Sequence, residues 1–85
     1  MKNTMRHDKL VILTDLLFKA KNSKSSEDNP LYISKDEAKV LEEAGAKKSK
    51  GFEGGTDGET TFPTQKYNLQ GFFFKWKGDS HDEYF

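Results

Sequence analysis

The stretch QGFFFKWKG, Gln70 to Gly78, sets three phenylalanines in a row and follows them with a tryptophan between two lysines. A β-strand sends alternate side chains to opposite faces. Read as a strand from Phe72 to Lys77, the stretch puts Phe72, Phe74 and Trp76 on one face and Phe73, Lys75 and Lys77 on the other. The first face is apolar enough to be core beneath helices. The second is one aromatic among cations, a candidate contact surface. Upstream, Phe62 to Tyr67 reads as the partner strand, joined through Asn68-Leu69-Gln70-Gly71, with glycine where a turn needs positive φ.

Working outward, Ala46 to Phe52 can supply a third strand, but its lysines and Gly51 make it a weak edge. The run AKKSKGFEGGTDGET that contains it, residues 46–60, is too glycine-rich for a helix. Its glycines Gly51, Gly54, Gly55 and Gly58 do not follow G-x-G-x-x-G, and no G-K-[ST] stands at the Walker distance. Asp57 with Glu59 does not match a calcium loop either. The segment 51–59 is therefore expected to be a flexible hairpin tip or bulge.

Two helices precede the strands. In the first, from about Asp8 to Lys21, Leu10, Leu13 and Leu17 recur at helical spacing, and Ile12, Leu16, Val11 and Phe18 widen the apolar surface beyond one stripe. Such a helix is central to its fold or covered by another chain, and a homodimer through residues 8–21 is one expectation. NSKSSEDN, within 22–29, carries no apolar residue and is expected to be a mobile loop. Pro30 restarts order, and Leu31 to Ile33 is a short extended piece. Ser34 then caps a second helix, with Glu37 closing a capping box and Ile33 and Ala38 forming a hydrophobic staple. Asp36 and Glu37 favour the positive end of its dipole, and Gly45 is the left-handed stop.

The expected fold is therefore α+β, two helices packed on an antiparallel β-hairpin or small three-stranded sheet, in one domain over residues 1–85. At 85 residues the core is barely sufficient. No cysteine is present to reinforce it with a disulfide or thiolate-bound metal. The polar start Met1 to Lys9, and apolar runs no longer than Leu10 to Leu13, give no expectation of secretion or membrane spanning. A cytoplasmic setting is the expectation.

The net charge of zero is assembled from blocks. Residues 1–24 carry +4 and residues 25–45 carry −4. Then Lys47, Lys48 and Lys50 alternate with Glu53, Asp57 and Glu59, and Lys66, Lys75 and Lys77 with Asp79, Asp82 and Glu83. A protein living mainly by phosphate contacts is usually clearly basic. Catalytic chemistry has little to stand on. His7 and His81 are the only histidines, each near a chain end. The spacing of His81 with Asp79, Asp82 and Glu83 matches no established metal site, and Ser80 beside it has no rigid pocket to make a triad. No enzyme activity, metal or cofactor is expected.

The order helix, short strand, helix, hairpin resembles part of a winged helix-turn-helix. No third helix follows Gly45 to enter a major groove, so the chain is not assigned to that family. The tail GDSHDEYF, residues 78–85, resembles in composition the acidic, phenylalanine-terminated tips with which single-stranded DNA-binding proteins recruit partners. The resemblance implies a tail free to bind; the alternative is that Tyr84 and Phe85 fold back onto the apolar surface of the domain.

Two functions fit these residues. The first is a small regulator working by protein contact, such as an inhibitor, antitoxin or adaptor, with Phe18, Phe73, Tyr84 and Phe85 as anchors. Small phage-type host-takeover proteins have this character. The second is a nucleic-acid-binding module using Lys66, Phe73, Lys75 and Lys77, with Lys47, Lys48 and Lys50 nearby, because an aromatic between lysines suits base stacking beside phosphates.

Overall fold

The computed structural model describes residues 7–85; the polar start read at residues 1–6 lies outside them. The order is α1 (His7–Ser23), β1 (Leu31–Ile33), α2 (Lys35–Glu43), β2 (Lys47–Gly54), β3 (Thr61–Leu69) and β4 (Phe72–Lys77). The strands form one four-stranded mixed sheet in the order β1-β4-β3-β2. β2, β3 and β4 are an antiparallel meander, and β1 pairs in parallel with β4, Leu31 opposite Phe74 and Ile33 opposite Trp76.

The expected hairpin or three-stranded sheet is thus too small. The short extended piece at Leu31–Ile33 is a fourth strand, satisfying backbone groups on the edge of β4 that a meander alone would leave open. β2 also runs further than expected, to Gly54, so the loop read at 51–59 shrinks to Gly55–Thr60. Around the tip, Asp57 accepts hydrogen bonds from the Glu59 and Thr60 amides at 2.9 and 2.8 Å. The β3–β4 turn is tighter than the four residues expected. Gln70 and Gly71 both have positive φ, 54° and 83°, the two-residue geometry whose twist suits a hairpin.

Both helices lie on one face of the sheet. The alternation read from β4 extends across every strand: Leu31 and Ile33, Tyr67 and Leu69, and Phe72, Phe74 and Trp76 point to the helices. Against them pack Leu16 and Ala20 of α1 and Ala38 and Leu41 of α2. Phe74, Tyr67, Leu16 and Leu41 are almost wholly buried. Among the described residues, no helix lies over the opposite face of the sheet.

The helix ends follow from local chemistry. Ser34 Oγ accepts the Glu37 amide at 3.2 Å while Glu37 Oε1 accepts the Ser34 amide at 2.9 Å, the reciprocal capping box. At the other end Gly45 takes φ +87°, and the Ala46 amide reaches back to the Leu41 carbonyl at 3.0 Å. α1 stops the same way without a glycine. Lys24 adopts φ +55°, and the Ser25 amide bonds the Ala20 carbonyl at 3.0 Å. The segment 22–29 is accordingly more structured than its composition suggests. Asn22 and Ser23 belong to α1, Ser25 is buried, and its hydroxyl accepts the Phe73 amide at 3.2 Å.

Candidate functional site

The sequence-selected residues fall on three separate surfaces. Phe18 lies on the outward side of α1. It is 63% exposed, in line with Leu10 at 46% and Val11 at 55%, and Ile12 flanks them at 36%. Helical spacing sets Leu10 or Val11, Thr14 and Phe18 one above another, and these residues line a shallow groove with His7 and Asp15. Its rim carries both signs: Asp15 and Lys19 pair at 2.9 Å. The buried side of the same helix uses Leu16 and Ala20. α1 therefore spends only part of its apolar surface on the core.

The second surface is the uncovered sheet face. Register places Phe73, Asn68 and Lys47 in one row across β4, β3 and β2, and Tyr32, Lys75, Lys66 and Ser49 in the next. The structure thereby brings together Lys47, Lys66, Phe73, Lys75 and Lys77. Lys48 and Lys50, one residue out of phase, point to the other face. There Lys48 bonds Glu42 at 3.2 Å and Lys50 lies 5.2 Å from the Tyr84 ring centroid.

Lys75 departs from the exposed cation expected. It is only 8% exposed, covered by Tyr32, whose ring centroid lies 5.8 Å from its ammonium. Glu53 reaches across to pair with both Lys75 and Lys77, the latter at 3.2 Å. Hydrogen bonds from these two ammoniums hold the Glu53 carboxyl below its ordinary value. Lys77 also lies 4.8 Å from the Phe62 ring centroid. Lys47 and Lys66 are exposed and, among the described residues, neither takes part in an ion pair. Beside them, half-buried Phe73 forms part of the wall of a pocket of about 290 Å³ that Lys47, Ser49, Lys66, Asn68 and Pro30 also line. Exposed Glu27 stands at its rim.

The third surface is the tail, and it is docked. Phe85 meets Trp76 edge-on with centroids 4.9 Å apart, and Lys35 and Lys39 approach its ring at 5.3 and 5.9 Å. The Phe85 amide donates to Gln65 Oε1 at 3.1 Å, and the Tyr84 hydroxyl donates to the Gly51 carbonyl. A free aromatic tip is therefore not the arrangement here. The helix face of the sheet leaves an apolar slot beside Trp76, and Phe85 fills it.

Tyr32 and Phe62 share the open sheet face and were missed in the sequence. Tyr32 lies in a three-residue strand whose pairing is not local, and the sequence marks Phe62 only as part of a strand. Leu10 and Val11 were recognised as apolar, but helical spacing alone does not reveal which side of α1 the core would leave uncovered. His7 and His81 are both exposed. Among the described residues no group of three or more His, Asp or Glu side chains is placed to hold a metal, and no helix is long and apolar enough to cross a membrane. No protein-family model, no curated protein and no solved structure matches this chain.

Proposed function

We propose that this chain is a small non-enzymatic binding protein that acts by contact with another protein, in the manner of an inhibitor, antitoxin or adaptor, and that the outward face of α1 makes the contact. The observation that carries this reading is the exposed row Leu10, Val11 and Phe18 on a single helix. In a chain whose core is small, leaving these three side chains in water forgoes stability that burial would supply, about 1.5–3 kcal/mol for each when fully covered. Contiguous apolar patches of this kind mark interaction sites.

The chemistry of the rim selects the kind of partner. A helix that lies on an anionic membrane carries a lysine- and arginine-rich polar side. Here Asp8 and Asp15 stand against Lys9 and Lys19, and Lys9 is held by Glu43 at 2.8 Å. A balanced rim around an apolar centre is the anatomy of a protein interface. The occupant is then a protein presenting an apolar helix or groove. Phe18, the most exposed and largest side chain of the row, is its anchor. Tyr84 and Phe85, already engaged with Gly51, Gln65 and Trp76, support the scaffold.

The test begins with a benzophenone photo-crosslinker at Phe18 in the cells that make the protein, with the captured chain identified and purified. Binding of the two purified chains is then measured by calorimetry. Phe18→Asp should weaken it by about thirtyfold or more, the loss of one aromatic anchor, with the circular dichroism spectrum unchanged. Capture of a second copy, confirmed as a sedimenting dimer that Phe18→Asp dissociates, would identify the partner as the chain itself. Equal binding by the parent, Phe18→Asp and Val11→Asp would overturn the proposal.

A further inference from the structure

The uncovered sheet face asks for a ligand of a different class, and its case is independent of α1. Lys66 stands directly opposite Lys75 in the β3–β4 register. Like charges in directly opposed positions destabilise a sheet. Glu53 offsets Lys75 and Lys77, whereas among the described residues neither Lys66 nor Lys47 takes part in an ion pair, and exposed Glu27 is the one carboxylate that lines their pocket. Those two exposed lysines line the same pocket as Phe73. The pocket also presents the Asn68 amide and the Ser49 hydroxyl. One strand over, Tyr32 is 61% exposed, diagonal to Phe73 across the β1–β4 pair.

We propose that this face binds single-stranded nucleic acid, with successive bases stacked on Phe73 and Tyr32 and the connecting phosphates held by Lys47 and Lys66. Each part has its physical reason. Aromatic rings on an open sheet stack bases without regard to sequence, because every base has a π-face. An amide such as Asn68 can pair with a base edge, since it both donates and accepts. Unpaired ammoniums supply the countercharge to the phosphate backbone, whereas Lys75 and Lys77 are already committed to Glu53 and act by fixing Tyr32 and Phe62 in place. A duplex fits poorly, because its bases are stacked on one another and closed to the rings. The chain's zero net charge also limits how much phosphate attraction can contribute, so stacking must provide most of the affinity.

Fluorescence anisotropy of a labelled ten-nucleotide oligothymidylate, titrated with the full chain, tests this directly. Two phosphate contacts predict a logarithmic salt slope of about −1.4, which is about a sevenfold loss between 50 and 200 mM salt. Tyr32→Ala should weaken binding by about 5- to 160-fold, the range for one stacking aromatic. Lys47→Glu combined with Lys66→Glu should weaken it at least about tenfold and flatten the salt slope. Lys50→Glu, on the same strand as Lys47 but facing the other way, should change neither. A folded parent that shows no binding at about 100 µM protein overturns the proposal. So does equal binding of duplex and single strand, or a Lys50→Glu loss as large as that of the Lys47/Lys66 pair.

Discussion

Gly78 shows at a single position how closely the tail is built onto the core. A Cβ there would lie 2.7 Å from Trp76 Cη2 and 2.9 Å from the Asp82 Cβ, distances at which something must move. Gly78→Ala should therefore displace the tail or the indole and cost about 1–3 kcal/mol, the range for overpacking. An unchanged urea midpoint would show that the tail does not press on Trp76. Trp76 itself is 5% exposed and touches Phe85, and Trp76→Ala should cost about 3–5 kcal/mol. Phe73 is only half-buried, and Phe73→Ala should cost clearly less. Equal losses at the two positions in urea unfolding would contradict the division of β4 into a core face and an open face.

Among the elements, α2 was the most legible in the sequence because its signals are local. Ser34, Glu37 and Gly45 each act within a turn of the residues they cap. Ser34→Ala should cost about 1 kcal/mol, read as a shift in urea midpoint without a change in slope. No loss would mean that the cap hydrogen bond contributes nothing net. β1 was half-legible. Leu31–Ile33 reads as extended, but its parallel pairing with β4 joins residues far apart in sequence, and nothing local specifies it. The same distance hid the state of Lys75, since Glu53 arrives from β2 and Tyr32 from β1. The end of α1 escaped for the opposite reason. Its left-handed stop is made by Lys24, and without a glycine the sequence carries no mark of it. Of the candidate sites, the Lys47–Lys66–Phe73 grouping was half-visible as a pattern of alternation. The register of β2 turns Lys48 and Lys50 to the opposite face, and that register is set by pairing with β3 and not by the local sequence.

At the scale of the whole molecule, a chain of polar groups ties the tail to both layers. Gln65 accepts the Phe85 amide and donates to Tyr67 Oη at 2.5 Å; Tyr67 donates to Glu42 Oε2 at 2.6 Å. Lys48 then donates to Glu42 Oε1 at 3.2 Å and returns to the Phe85 main-chain oxygen at 3.3 Å. Burial alone would raise the Glu42 carboxyl, but the Tyr67 and Lys48 hydrogen bonds outweigh it and leave it below 4.5. Glu53 is also lowered from 4.5, and the Thr60 hydroxyl and amide with the Glu59 amide bring Asp57 from 3.8 to about 2. These carboxylates stabilise the fold fully above their ordinary values, and that stabilisation is lost as pH falls from about 4.5 towards 2. Tyr67 has the opposite sign. Burial first, then the Glu42 carboxylate, raise its phenol above 10, so its contribution is complete below pH 10 and declines as pH rises beyond it. The urea midpoint measured across pH should therefore form a plateau between about 5 and 10 and fall on both sides. Asp57→Asn should flatten the part of the acid limb between about pH 4 and 2, and NMR titration should find the Asp57 midpoint near 2. Tyr67→Phe, which lacks a phenol to ionise, should flatten the alkaline limb while lowering the plateau, because Glu42 and Gln65 lose their shared partner. An alkaline limb as steep in Tyr67→Phe as in the parent would mean that ionisation of the Tyr67 phenol is not what destabilises the fold at high pH.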